Sequence, residues 1–290
     1  MKKILVPTDF SDHAKNAGFY AVELAKKMGS KISLLHTYNL SASTLYPPVY
    51  SGNVSSENER TGQANEIEKE NESRLKTFKE TILKGQSTPK CILAQTTGFV
   101  SESVNQYAEK KDIDLIVMGT KGKAKRPDAA LAPITFDVIN SGVIPVMAIN
   151  EYTRYTPIKK IAIAINTFVS SEVLRCLEVV TKFAHYFESE VVVLWCNTAE
   201  KADKNNLFNN SIKAEAEEIL KGIKWDIKYI EDKNEERMAE SVDNCITDNN
   251  INVLALITRK QNIFHKIYQS SRIKSKRFHL EIPLLAIPGI

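Results

Sequence analysis

The sequence predicts an α/β protein made of two tandem doubly wound units, each with a five-stranded parallel sheet. Short apolar runs alternate with helical stretches along the chain, the pattern of parallel strands joined by crossover helices. The pattern occurs twice: "IPVMAI" at 144–149 answers "IPLLAI" at 282–287, "DLIVMGTK" at 114–121 answers "NVLALITR" at 252–259, and "ESV" at 102–104 recurs at 240–242. The same 138 residues separate Pro145 from Pro283, Gly119 from Ile257 and Glu102 from Glu240, so three anchors share one register without a gap. The length, 290 residues, suits two domains of about 150 residues each.

Lys3–Val6 reads as a short buried strand. Ser11 is placed to cap a helix on which Ala14, Ala17, Ala21, Leu24, Ala25 and Met28 recur at helical spacing, and Gly29 ends it. The second strand is Lys31–His36. A long polar helix with Leu75, Phe78 and Ile82 on one side follows; the third strand is Cys91–Gln95, a helix spans 101–110, and the fourth strand is Leu115–Met118. A short helix after Pro133 leads to a fifth strand at Val146–Ile149. The second unit repeats the order: strand 161–165, helix 169–187, strand 191–195, helix 209–221, strand 225–230, helix 235–247, strand 253–257, helix 270–278 and strand 284–287. "NEYTRYTPI" at 150–158 reads as the linker, giving units at 1–150 and 157–290. Lys3 and Lys160 open the two copies 157 residues apart, so the first copy is longer by about 19. That excess is expected between 40 and 66, where a run rich in Ser, Pro, Gly and Asn predicts a mobile loop.

Hydrophobic residues make up 43% and charged residues 26%, enough apolar material for real cores, and a net charge of +4 argues for neither nucleic acid nor membrane as partner. The apolar part of the N-terminus, Ile4–Val6, is far too short for a signal peptide, and no run approaches a membrane span. The four cysteines lack metal or redox spacing. A cytoplasmic protein is the expectation.

In an open α/β sheet, ligands bind beyond the carboxyl ends of the strands, where the strand order reverses. The residues at those ends are Pro7-Thr8-Asp9, His36-Thr37 and Met118-Gly119-Thr120-Lys121-Gly122. "PTDFSD" has no glycine, which argues against a dinucleotide fingerprint or a P-loop after the first strand. No nucleophile elbow and no HExxH occur. Asp9 either accepts hydrogen bonds from a ribose or adenine, or sits near a helix N-terminus where the dipole favours an acid. His36 either touches a ligand or simply packs. Gly119 and Gly122 either form a nest of N–H groups for an anion or are an ordinary two-glycine loop, and Lys121–Arg126 either faces a phosphate tail or solvent.

The order and spacing of "KKILVPTDFSDHAKNAGFYAVELA" (2–25), "ISLLHTY" (32–38), "DIDLIVMGTKG" (112–122) and "IPVMAI" (144–149) resemble the universal stress protein family in its tandem two-domain form. The resemblance implies a Rossmann-like fold shared with adenine nucleotide alpha hydrolases, and a non-catalytic stress-response protein. ATP-binding members carry an Asp after strand one and Gly-x2-Gly-x9-Gly-[Ser/Thr] after strand four. Asp9, Gly119 and Gly122 match, whereas Ala132 and Pro133 stand where the last two residues belong. Proline has no N–H and no hydroxyl, so two contacts are lost, together about one to four orders of magnitude in affinity. In the second unit Asn166, Ile257 and Lys260 replace Asp9, Gly119 and Gly122, and Ser270-Ser271 occupy the Gly-Ser positions. The resemblance implies weak ATP, AMP or other anion binding at Pro7, Thr8, Asp9, His36, Thr37, Met118, Gly119, Lys121, Gly122 and Ala132, with no metal. It further implies that the two fifth strands pair, so that one chain forms its own pseudo-dimer, with a further homodimer and an unknown protein partner as additions. A nucleotide-independent interaction module and a slow ATP hydrolase are the alternatives.

Overall fold

The computed structural model describes residues 1–39, 57–120, 131, 133–165, 171–197, 214, 216–231, 235–258 and 282–289. The first unit runs β1 (Lys3–Pro7), α1 (Asp12–Met28), β2 (Lys31–Tyr38), α2 (Glu57–Leu83), β3 (Cys91–Thr97), α3 (Val100–Lys110), β4 (Leu115–Gly119), α4 (Pro133–Ser141) and β5 (Val146–Ile149). The second runs β6 (Lys160–Ile165), α5 (Ser171–Phe187), β7 (Glu190–Asn197), β8 (Trp225–Glu231), α6 (Glu235–Asp248), β9 (Val253–Thr258) and β10 (Leu284–Pro288). Helical residues at 216–219 precede β8, and the helix expected at 270–278 lies outside the described residues.

The two five-stranded sheets are one. The strand order is β3-β2-β1-β4-β5-β10-β9-β6-β7-β8, parallel within each half. The joint is antiparallel: Leu284, Leu285 and Ala286 on β10 face Ala148, Met147 and Val146 on β5. The second half is thus the first reversed about this seam, the intramolecular pseudo-dimer the resemblance implied. Pro145 and Pro283 stand just before these strands, where a missing N–H costs no ladder bond.

Period-two alternation distributes the strands between two apolar layers. Ile4, Val6, Ile32, Leu34, Leu115 and Val117 join α1, α2 and α5 on one side. Leu5, Leu35, Ile116 and Met118 join α3, α4 and α6 on the other. The central strands are buried on both faces, which is why they read as continuous apolar runs. Ser11 caps α1 by accepting from Ala14 N–H at 3.2 Å, and Gly29 ends the helix in the left-handed region at φ 65°. Helix α2 buries Leu75, Phe78 and Ile82. It begins at Glu57, so the loop expected over 40–66 is shorter than the composition suggested; residues 40–56 lie outside the described residues. The first turns of α2, ENERTGQANE, mix Glu with Asn, Thr and Gly and carry no apolar stripe, so neither propensity nor periodicity announces a helix there.

The segment between the halves is tied down. Asn16 on α1 donates through Nδ2 to the carbonyls of Asn150 (2.8 Å) and Thr153 (2.9 Å), and its Oδ1 accepts from Arg154 (2.9 Å). Asn150 Oδ1 accepts from the N–H groups of Tyr152 and Thr153, which turns the chain. Tyr155 packs edge-on against buried Tyr20, ring centroids 5.3 Å apart. No described helix is long and apolar enough to cross a membrane.

Candidate functional site

The order in which strands are added reverses between β1 and β4. From β1 the chain moves outward to β2 and β3, then returns through α3 to β4 on β1's other side. The crevice beyond the carboxyl ends of β1 and β4 is therefore the place where a ligand can reach bare backbone. Ile4 pairs with Leu115 and Leu5 with Ile116, so the same register carries Pro7 and Thr8 to the level of Met118 and Gly119.

The turn from β1 into α1 is built from its own side chains. Thr8 N–H donates to Leu35 carbonyl at 2.8 Å, extending the ladder one residue past β1. Thr8 Oγ1 accepts from Phe10 N–H, and Asp9 Oδ1 from Ser11 N–H, both at 2.9 Å. These two short-range turns orient the Asp9 carboxylate at the mouth of the crevice. Between them Phe10 adopts φ 64°, a left-handed conformation that a bulky residue holds only when its surroundings enforce it. The enforcement is visible. The Phe10 ring lies 4.4 Å from His36, 6.1 Å edge-on from Phe78, and 4.2 Å beneath the Arg74 guanidinium.

His36 and Thr37 part company. Adjacent strand residues point to opposite faces. His36 lies on the α1/α2 side, where Nδ1 pairs with Thr8 carbonyl at 2.8 Å and the ring stacks parallel to Tyr38. There it buttresses the turn from behind. Tyr38's phenol is pushed up by burial and then by the Glu68 carboxylate. Thr37 lies on the α3/α4 side with Pro7 and Met118, and its buried Oγ1 has no hydrogen-bond partner. A buried hydroxyl without a partner is costly, so Thr37 Oγ1 is an unsatisfied polar position at this end of the sheet.

The loop after β4 is clamped at its base. Thr120 N–H donates to Ile149 carbonyl, and the buried Thr135 hydroxyl donates to Gly119 carbonyl, both at 2.9 Å. The N-terminus of α4 is thereby held beside the end of β4. It opens with Pro133, so the helix presents no N–H at that position. Behind it, Asn105 Nδ2 donates to Ser141 Oγ (3.0 Å) and Val138 carbonyl (3.3 Å), locking α3 to α4. Lys121, Gly122 and Ala132 lie outside the described residues, as do Asn166, Lys260 and Ser270-Ser271 of the second half. Ile257, at the position of Gly119, is buried in β9, with Thr258 Oγ1 donating to Ile287 carbonyl at 3.3 Å.

The described part of the crevice thus offers an oriented carboxylate at Asp9, an unpartnered hydroxyl at Thr37, an apolar floor of Pro7 and Met118, and bare backbone at Gly119. Among the described residues no group of His, Cys, Asp or Glu is placed to hold a metal ion. Phe10, Arg74 and Thr135 were not anticipated. Thr135's signal was its place just past the family's Gly-[Ser/Thr] position, where a hydroxyl could tie loop end to loop start.

Two universal stress proteins of Methanocaldococcus jannaschii are similar to this chain. One is 27% identical over 150 residues, covering 52% of this chain and 82% of the relative. The other is 26% identical over 156 residues, covering 52% and 95%. Among solved structures, a universal stress protein from Archaeoglobus fulgidus superposes over 99% of this chain and 98% of its own with a TM-score of 0.63 at 15% identity, a likeness of fold across both halves. The family model described as the universal stress protein family matches residues 1–150, just over half the chain, and by that match the chain belongs to the universal stress protein family.

Proposed function

We propose that the protein is a non-catalytic, cytoplasmic stress-response regulator whose first unit, residues 1–150, binds an adenine nucleotide weakly, while the second, 157–290, is a scaffold without a phosphate loop. The observation that carries this reading is the crevice at the β1/β4 reversal, where Asp9 is oriented by Ser11 N–H and Gly119 supplies bare backbone. Asp9 suits a ribose or adenine donor, Thr37 a further polar atom, and the Gly119/Gly122 pair with Lys121 an anionic tail. The grip on a triphosphate is reduced. Pro133 lacks the N–H, and the one hydroxyl described at that helix start, Thr135, already donates to Gly119 carbonyl. In the second unit the β-branched Ile257 occupies the place where a phosphate would need bare backbone.

Native mass spectrometry of the protein as purified, then after incubation with ATP, ADP and AMP, tests this. A bound adenine nucleotide at one per chain supports the reading. No adduct at millimolar nucleotide overturns it in favour of a nucleotide-independent interaction module. Turnover of ATP that Asp9→Ala abolishes would overturn the non-catalytic part.

A further inference from the structure

Among the described residues the continuous sheet ends at two edge strands, β3 and β8, and they are built differently. In the parallel β2–β3 ladder, Ile32 N–H donates to Lys90 carbonyl and Gly98 N–H to Tyr38 carbonyl. Even-numbered β3 residues therefore turn their backbone groups toward β2, and Cys91, Leu93, Gln95 and Thr97 turn theirs outward. The same phase holds on β8, where Val191 N–H donates to Lys224 carbonyl and the odd residues from Trp225 to Glu231 face outward.

β8 is guarded. Asp226 Oδ1 accepts from Ile227 N–H at 2.9 Å and so occupies one outward donor. Asp226 also pairs with Lys228 at 2.8 Å, placing both charges beside the edge. β3 has none of these devices. Its seven residues, CILAQTT, contain no charge and no proline, and Ile92 is 45% exposed. No described strand lies beyond it. An uncharged, regular, exposed edge is what a protein avoids unless something pairs with it.

We propose that β3 pairs antiparallel with β3 of a second copy of this chain, joining two ten-stranded sheets across a two-fold axis at Ala94. The outward phase permits this register. Cys91 faces the partner's Thr97 and Leu93 the partner's Gln95, each exchanging two backbone bonds. Ile92 faces Thr96 and Ala94 faces its own copy in the narrow, non-hydrogen-bonded positions. Lys90 falls opposite Gly98, so no like charges meet. The corresponding full-length self-pairing of β8 would set Lys228 against Lys228 on the axis, and like charges directly opposite are destabilising. Sequence and geometry thus select one edge and one occupant, a strand that is its own complement.

Analytical ultracentrifugation of the full chain between about 5 and 100 μM tests this, with a dimer expected in the range where an edge pairing of this size associates. Ala94→Lys places like charges on the axis and is expected to weaken the dimer about tenfold or more; Ala94→Asp does the same. Mixing the two variants is expected to restore a dimer, which a misfolded variant cannot do. Wild-type protein that stays monomeric at 100 μM overturns the proposal. So does a dimer that Ala94→Lys leaves intact, or a mixture that fails to reassociate. Slow amide exchange at Leu93 and Gln95 in a monomer also overturns it, showing that the chain covers its own edge.

Discussion

Replacing Asn16 with alanine should loosen the attachment between the halves. Asn16 spans the gap between α1 and the 150–158 segment with three hydrogen bonds: to Asn150 carbonyl at 2.8 Å, to Thr153 carbonyl at 2.9 Å, and from Arg154 at 2.9 Å. Thr153 is 5% exposed, so a carbonyl there loses a bond that water reaches poorly. Arg154 is exposed and its bond is screened. Two part-buried bonds at about 1 kcal/mol each, plus a small screened term, give a loss of about 2 kcal/mol. For a chain of this size that corresponds to about 4–6 °C in Tm. Urea unfolding followed by circular dichroism measures it, with amide exchange at Tyr152 and Thr153 as the local readout. Both N–H groups bond to Asn150 Oδ1 in the turn Asn16 anchors, and they should exchange faster in the variant. Asn16→Asp should be no milder, because it keeps the acceptor for Arg154 but loses both donations. A variant within 0.5 kcal/mol of wild type, with unchanged exchange at Tyr152 and Thr153, would refute this account of the joint.

Other sites give independent tests. Gly142→Ala would set a Cβ 2.7 Å from both Asn105 Oδ1 and Val138 carbonyl, and should cost about 2 kcal/mol or more in thermal unfolding by disturbing the α3–α4 lock. Burial, and secondarily Tyr155, raises the Tyr20 phenol pKa above 10. Its contribution to stability is complete below about pH 10 and is lost as pH rises from there through the folded value, so Tyr20→Phe should resist alkaline unfolding better than wild type in a pH titration of Tm. Burial pushes the Cys196 thiol up to about 12, and it should react with a disulfide reagent at pH 8 only as fast as the protein unfolds, as followed by absorbance. Thr135→Val removes the clamp on Gly119 carbonyl and should lower nucleotide affinity about tenfold while leaving Asp9's turn intact, as read by calorimetry.

The strands were legible because parallel strands buried on both faces must be apolar throughout, and "ILV", "LIVM" and "IAIAI" have little else they can be. The seam followed from the family resemblance, in which the fifth strands pair, and Pro145 and Pro283 fit it, since a proline just before a terminal strand suits an edge that meets its mate. The start of α2 was not. A helix whose first turns lack an apolar stripe looks like a polar loop beside a Ser- and Pro-rich stretch. The placement of Asp9 and Gly119 beyond the strand ends followed from topology, and their candidate role from the family resemblance, whereas Phe10's left-handed conformation depends on His36, Arg74 and Phe78 converging on it, which no local pattern encodes. The separation of His36 from Thr37 was present in the sequence as simple strand alternation.

Isothermal calorimetry of wild type and Asp9→Ala with AMP and ATP tests the proposed nucleotide site most directly. Wild type should bind one AMP per chain, gain little from the extra phosphates of ATP because Pro133 offers no donor, and lose about tenfold or more on Asp9→Ala. Binding of equal strength in wild type and Asp9→Ala, or none in wild type, would contradict it.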